Sequence, residues 1–136
     1  MALEVLHLIL CDRVETDPDN YNRCNIFGLI TSIRSAAVPP FPVVHPELVA
    51  FVVWTGGQGT GELMLRIIED GSPNFLFRTR PRPIRFVGDL TSVGGVLFHI
   101  RNCLFPAAGL YWVEVLFSGM VIARQRLFVR HEEFFY

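Results

Sequence analysis

Apolar and polar residues alternate along most of the chain with a period of two, in runs of about six to ten residues broken by Gly, Pro, Asn and Asp, the mark of strands joined by turns. Leu3–Cys11 is apolar on nearly both faces and is expected to be central in a sheet or covered on both sides. The polar stretch Asp12–Arg23 predicts a long solvated loop before a second strand over Cys24–Arg34. The prolines of Val38-Pro39-Pro40-Phe41-Pro42 forbid helix and remove ladder donors, which suits an extended crossover between sheets.

Strands follow over Glu47–Thr55 and Gly61–Asp70, with Gly56–Thr60 as a flexible hairpin loop between them. In the second, Leu63, Leu65 and Ile67 form an inner row, opposite Glu62, Met64, Arg66 and Ile68. The turn Asp70-Gly71-Ser72-Pro73 leads into Asn74–Thr79, and Ile84–Val87 follows the interruption Arg80-Pro81-Arg82-Pro83. Val96, Phe98 and Ile100 make a further inner row, with Leu97, His99 and Arg101 opposite.

The last hairpin is the most constrained. A two-residue turn at Ser118-Gly119 sets Val113 against Arg124 and mixes the faces, so a three-residue loop, Phe117-Ser118-Gly119, is expected. Tyr111, Val113 and Val115 then share a face with Val121, Ala123 and Gln125, and Trp112 and Glu114 share the other with Ile122, Arg124 and Arg126. About eight strands and no covering helix predict an all-β domain over residues 1–130, two packed antiparallel sheets in a β-sandwich, followed by an aromatic tail, 131–136.

Composition sharpens this. The 136 residues suffice for one core, yet 51% are apolar, including 12 Phe, which leaves apolar surface to meet another chain and makes self-association or a protein partner the default. A net charge of −1 gives no general field for nucleic acid or an anionic membrane. All basic residues are Arg, which excludes Schiff-base and P-loop lysines. Without a leader-like start or a long apolar run, the chain reads as cytoplasmic, with Cys11, Cys24 and Cys103 as buried free thiols.

The segment Phe105-Pro106-Ala107-Ala108-Gly109-Leu110-Tyr111-Trp112-Val113-Glu114-Val115, with its Pro-x-x-Gly-x-Tyr, resembles the penultimate corner of immunoglobulin-like domains. Together with Leu10-Cys11-Asp12-Arg13-Val14 and the proline crossover, it resembles a family of uncharacterised bacterial β-sandwich proteins. The resemblance implies an immunoglobulin-like sandwich and no catalytic residues to carry over.

Among candidate chemistries, Arg78, Arg80, Arg82 and Arg85 lie in an extended Arg/Pro segment that could hold a small anion or nucleic acid, or could simply block edge pairing. Trp112 beside Arg124 and Arg126 has the composition of a binding hot spot. Arg124, Arg126 and Arg130 could also pair with Glu114 across the hairpin. Phe134, Phe135 and Tyr136 in the tail suit docking onto the chain itself or a neighbour.

The acids of the first loop do not match a calcium loop, and the four histidines are too scattered for a metal site. Gly56–Gly61 resembles a phosphate loop only in glycine content, and no nucleophile-base pair can be assembled. The expectation is therefore a non-enzymatic protein-binding or assembly module without cofactor or metal, with anion or nucleic-acid binding at Arg78–Arg85 as the alternative.

Overall fold

The computed structural model describes residues 2–20, 23–86 and 93–132, and every regular element among them is a strand. β1 (Glu4–Thr16) runs past its expected end at Cys11, because Arg13, Val14 and Glu15 pair with Phe27, Ile26 and Asn25 of β2 (Cys24–Leu29). The ladder satisfies their backbone, so polar side chains do not end the strand, and residues 12–16 belong to β1 rather than to the expected loop. The expected second strand is divided at Ile30, where the chain leaves one sheet, and β3 (Ser32–Ser35) enters the other.

The proline segment leads back to β4 (Val43–Thr55) in the first sheet. Gly56–Thr60 does not form a hairpin: β4 and β5 (Gly59–Glu69) belong to different sheets, and Gly56 and Gly57 are buried at the crossing. β6 (Phe75–Arg78) and β7 (Arg82–Phe86) both pair with β5, interrupted by Thr79–Pro81. Thr79 fills part of the gap, its Oγ1 accepting from the Leu65 N–H at 3.0 Å while its own N–H donates to the Leu65 carbonyl. β8 (Val93–Phe105), β9 (Gly109–Phe117) and β10 (Met120–His131) complete the chain.

Sheet A has the order β2-β1-β4-β8, so β1 is an interior strand as its two-sided apolarity demanded. Sheet B has the order β3-β10-β9-β5, with β6 and β7 along the outer edge of β5. All pairings are antiparallel except β3 with β10, where Ile33 lies beside Val129. Ten strands stand among the described residues against the expected total of about eight, the expected run Cys24–Arg34 being divided into β2 and β3.

One core lies between the sheets. Leu10, Leu48, Ala50 and Val52 of sheet A meet Leu65, Ile67, Val113 and Val115 of sheet B in a single buried cluster. The inner rows expected for β5 and β8 are both buried. At one end, rings link the sheets edge to face: Trp54 to Phe86 at 6.1 Å, and Phe86 to Phe117 at 5.5 Å. Gly61 and Gly94 admit them, since a Cβ at Gly61 would collide with the Phe117 ring and one at Gly94 would come within 2.5 Å of the Trp54 indole. At the other end Tyr111, fully buried, donates from its hydroxyl to the Ala107 carbonyl at 2.7 Å and packs edge-on to Phe105 at 5.1 Å.

The β9–β10 turn differs from expectation. Ser118 and Gly119 both have positive φ, 45° and 88°, giving a two-residue turn with Met120 opposite Phe117. A bulge between Val121 and Ala123 then restores the register, so that Arg124 faces Glu114 and Gln125 faces Val113. The bulge also exchanges two side chains: Ile122 packs on the core, whereas Val121 pairs with Leu116 and is exposed.

Tyr111→Phe removes one hydrogen bond from the corner and strands the Ala107 carbonyl. A loss of about 1–2 kcal/mol is expected, read as a lower urea midpoint at unchanged m-value.

Candidate functional site

The outer face of sheet B carries the densest chemistry. Side chains on adjacent strands share a face when their residues pair, and the register builds cross-strand rows. One row is Arg78, Arg66, Glu114 and Arg124, from β6, β5, β9 and β10. The next is Phe75, Ile68, Trp112 and Arg126. Beyond it come Leu110, Phe128 and Ser32, and then Arg130 beside Arg34.

Glu114 anchors this face. Its side chain is only 6% exposed, and its carboxylate accepts from Arg66 Nε at 2.8 Å and lies 3.8 Å from Arg124 Nε. Such a desolvated carboxylate is stable only with charged partners. Trp112, half-buried in the next row, donates from Nε1 to Asp70 Oδ1 at 2.9 Å. Arg124 stacks on its ring at 3.6 Å from the centroid, and Arg126 lies at 5.4 Å.

Arg78 over Phe75 at 4.8 Å and Arg130 over Phe128 at 5.5 Å repeat the motif. Cation–π contact holds a guanidinium flat while leaving its N–H edge free for a carboxylate or phosphate. Among the described residues Arg34, Arg78, Arg126 and Arg130 have no carboxylate within ion-pair distance. The face thus gathers arginines that lack an ion-pair partner, on a chain whose net charge is −1.

The Arg/Pro segment is divided by its strand break. Arg78 belongs to the face just described, while Arg82 turns to β8, donating from Nη1 to the Leu97 carbonyl at 3.0 Å and lying over Phe98. Arg80 and Arg82 line a shallow pocket of about 380 Å³ with Thr79 and His99, and Arg85, paired with Thr60, is exposed. Trp112, Arg124 and Arg126 therefore come together, whereas Arg78, Arg80, Arg82 and Arg85 do not form one cluster. Phe134, Phe135 and Tyr136 lie outside the described residues.

Sequence reasoning placed Arg66 outward but not beside Glu114, and it did not single out Arg34, Phe75 or Phe128. Alternation carries the outward direction of each; only the pairing of distant strands brings them together.

A second concavity, of about 890 Å³, lies on sheet A, where the β1–β2 hairpin curls over so that Val14 and Ile26 line one groove with Ile9, Phe51, Val53 and Leu97. Of the thiols, Cys11 and Cys103 are buried, but Cys24, on the edge strand β2, is exposed, contrary to expectation. Burial pushes the Cys11 thiol up, with the neighbouring Asp12 charge adding to it, and pushes Cys103 from 9.0 to about 11. No group of three or more metal-ligating side chains occurs among the described residues.

Two measurements check these assignments. Glu114→Gln weakens the anchor under Arg66 and Arg124 and is expected to cost about 1–3 kcal/mol in denaturant unfolding. For Cys103 the folded thiol holds its proton more tightly than the unfolded one. Its contribution is therefore complete below pH 9 and lost as pH rises from 9.0 towards about 11. Unfolding free energy should fall across that window, and less steeply in Cys103→Ala.

No curated protein matches the chain. Residues 6–130, most of the sequence and all but the ends of the two-sheet fold, match the model of DUF6941, a family of unknown function, and the chain belongs to that family.

Proposed function

We propose that this chain is a non-enzymatic protein-binding or assembly module whose binding surface is the outer face of sheet B. The observation that carries the reading is Trp112 stacked by Arg124 and flanked by Arg126 at the centre of an open sheet face. Trp and Arg are the residues most enriched where binding energy concentrates. The surrounding guanidiniums are pre-set by their rings, which lowers the entropy lost when a partner is gripped. Self-association belongs to this reading, supported by the apolar-rich composition.

We read the two sheets as an immunoglobulin-like β-sandwich. The parallel β3–β10 pair, the order β10-β9-β5 and the hydrogen-bonded Tyr111 corner support it. The buried reduced thiols Cys11 and Cys103 support a cytoplasmic setting.

The pocket at Arg80 and Arg82 favours a second reading, capture of a small anion. There one guanidinium of the pair is already engaged with the Leu97 carbonyl, which makes it the weaker site.

Light scattering over a concentration and salt series tests the module directly. The intact chain should associate, and Trp112→Ala should weaken association by about 2 kcal/mol, roughly thirty-fold. A variant ending at Arg130 separates the contribution of Phe134, Phe135 and Tyr136. Association indifferent to Trp112→Ala, or a strict monomer throughout, would remove sheet B as the self-association surface.

A further inference from the structure

The arginine face has a counterpart on the same molecule. Towards the end of the β1–β2 hairpin the chain carries Glu15, Asp17 and Asp19, with Arg13 and Arg23 among them. Glu15 lies 3.3 Å from Arg13, but Asp12, Asp17 and Asp19 have no arginine within ion-pair distance among the described residues. The tip is held in shape: Asp17 N–H donates to the Arg23 carbonyl at 2.9 Å, and Asp19 N–H donates to Asp17 Oδ1 at 2.9 Å. Among the described residues, Asp17 and Asp19 therefore stand without an ion-pair partner at the end of the hairpin in sheet A, alongside Arg23, and Arg34, Arg78, Arg126 and Arg130 stand without one on the outer face of sheet B.

We propose that copies of the chain associate head to tail, the acidic hairpin tip of one seated on the arginine face of the next. This rests on sheet B as the binding surface and names its occupant. Two arginine faces repel each other, so a two-fold face-to-face dimer is disfavoured, whereas tip on face pairs opposite charges. Alternate residues of extended chain are spaced by roughly 7 Å. Arg124 and Arg126 stand at that spacing along β10, on the face that receives the tip.

Nucleic acid is the weaker occupant. The rings on this face that could stack a base, Phe75, Trp112 and Phe128, each have a guanidinium against them. A head-to-tail contact leaves a free tip and a free face at the ends of every assembly, so it closes into a ring or continues as a filament.

The test uses the full chain and two variants. The face variant carries Arg126→Glu and Arg130→Glu; the tip variant carries Glu15→Arg and Asp19→Arg. Both change only side chains at the surface, and unchanged circular dichroism and melting temperature establish that they fold. Sedimentation velocity at low ionic strength should show concentration-dependent association of the wild type, reduced at least about five-fold in 0.5 M NaCl.

Each variant alone should be monomeric, and an equimolar mixture should associate again, the intact tip of the face variant seated on the intact face of the tip variant and the reversed tip on the reversed face. A tip variant that associates like the wild type overturns the head-to-tail proposal and leaves the sheet B reading standing. A face variant that associates like the wild type overturns both. A mixture that stays monomeric overturns the proposal, as does a monomeric wild type that binds the oligonucleotide dT20 through Arg126 and Arg130.

Discussion

The hydroxyl of Tyr111 reaches the Ala107 carbonyl from inside the core, and the position of β9 depends on that contact. The ring is fully buried between the sheets, and Phe105, the last residue of β8, meets it edge-on. The chain therefore leaves sheet A and enters sheet B at a fixed angle. Everything with chemical character on the outer face hangs from the strand that begins there: Tyr111, Val113 and Val115 point into the core, and Trp112 and Glu114 point out. A slip of one residue along β9 would bury the tryptophan and carboxylate and expose the core row. The corner thus sets which side chains sheet B turns to solvent as well as contributing to stability.

On the outward side, desolvation and charge work against each other. Glu114 is buried by its neighbours, which would be costly for an isolated carboxylate, and Arg66 and Arg124 compensate it. Two arginines are consumed there, and the rest of the face keeps its positive charge without an internal partner. The protein as a whole is nearly neutral. Charge on it is therefore unevenly placed, with arginines that lack an ion-pair partner gathered on the outer face of sheet B.

Much of this was legible in the sequence, and the failures have definite causes. The inner rows of β5, β8 and β9 followed from alternation, since burying a sheet face imposes it. The β9–β10 turn was not legible because a two-residue turn conflicts with the alternation unless a bulge adds a residue, and Ile122 is that residue. The extension of β1 through Arg13 and Glu15 was not legible because polar side chains carry no strand signal of their own, and pairing with β2 decides it. The arginine face could be read one strand at a time but not assembled, because Arg66 and Glu114, or Arg34 and Arg130, meet only through pairings between remote segments.

The edge-to-face chain from Trp54 through Phe86 to Phe117 has an optical consequence. The chain holds two tryptophans. Trp54 lies in that dry aromatic seam between the sheets, and Trp112 lies among guanidiniums and a carboxylate on an open face. Emission from the first is set by whether the sheets remain together, and emission from the second by what covers the face. A single fluorescence spectrum of this molecule therefore superposes two independent reporters, one of integrity and one of occupancy.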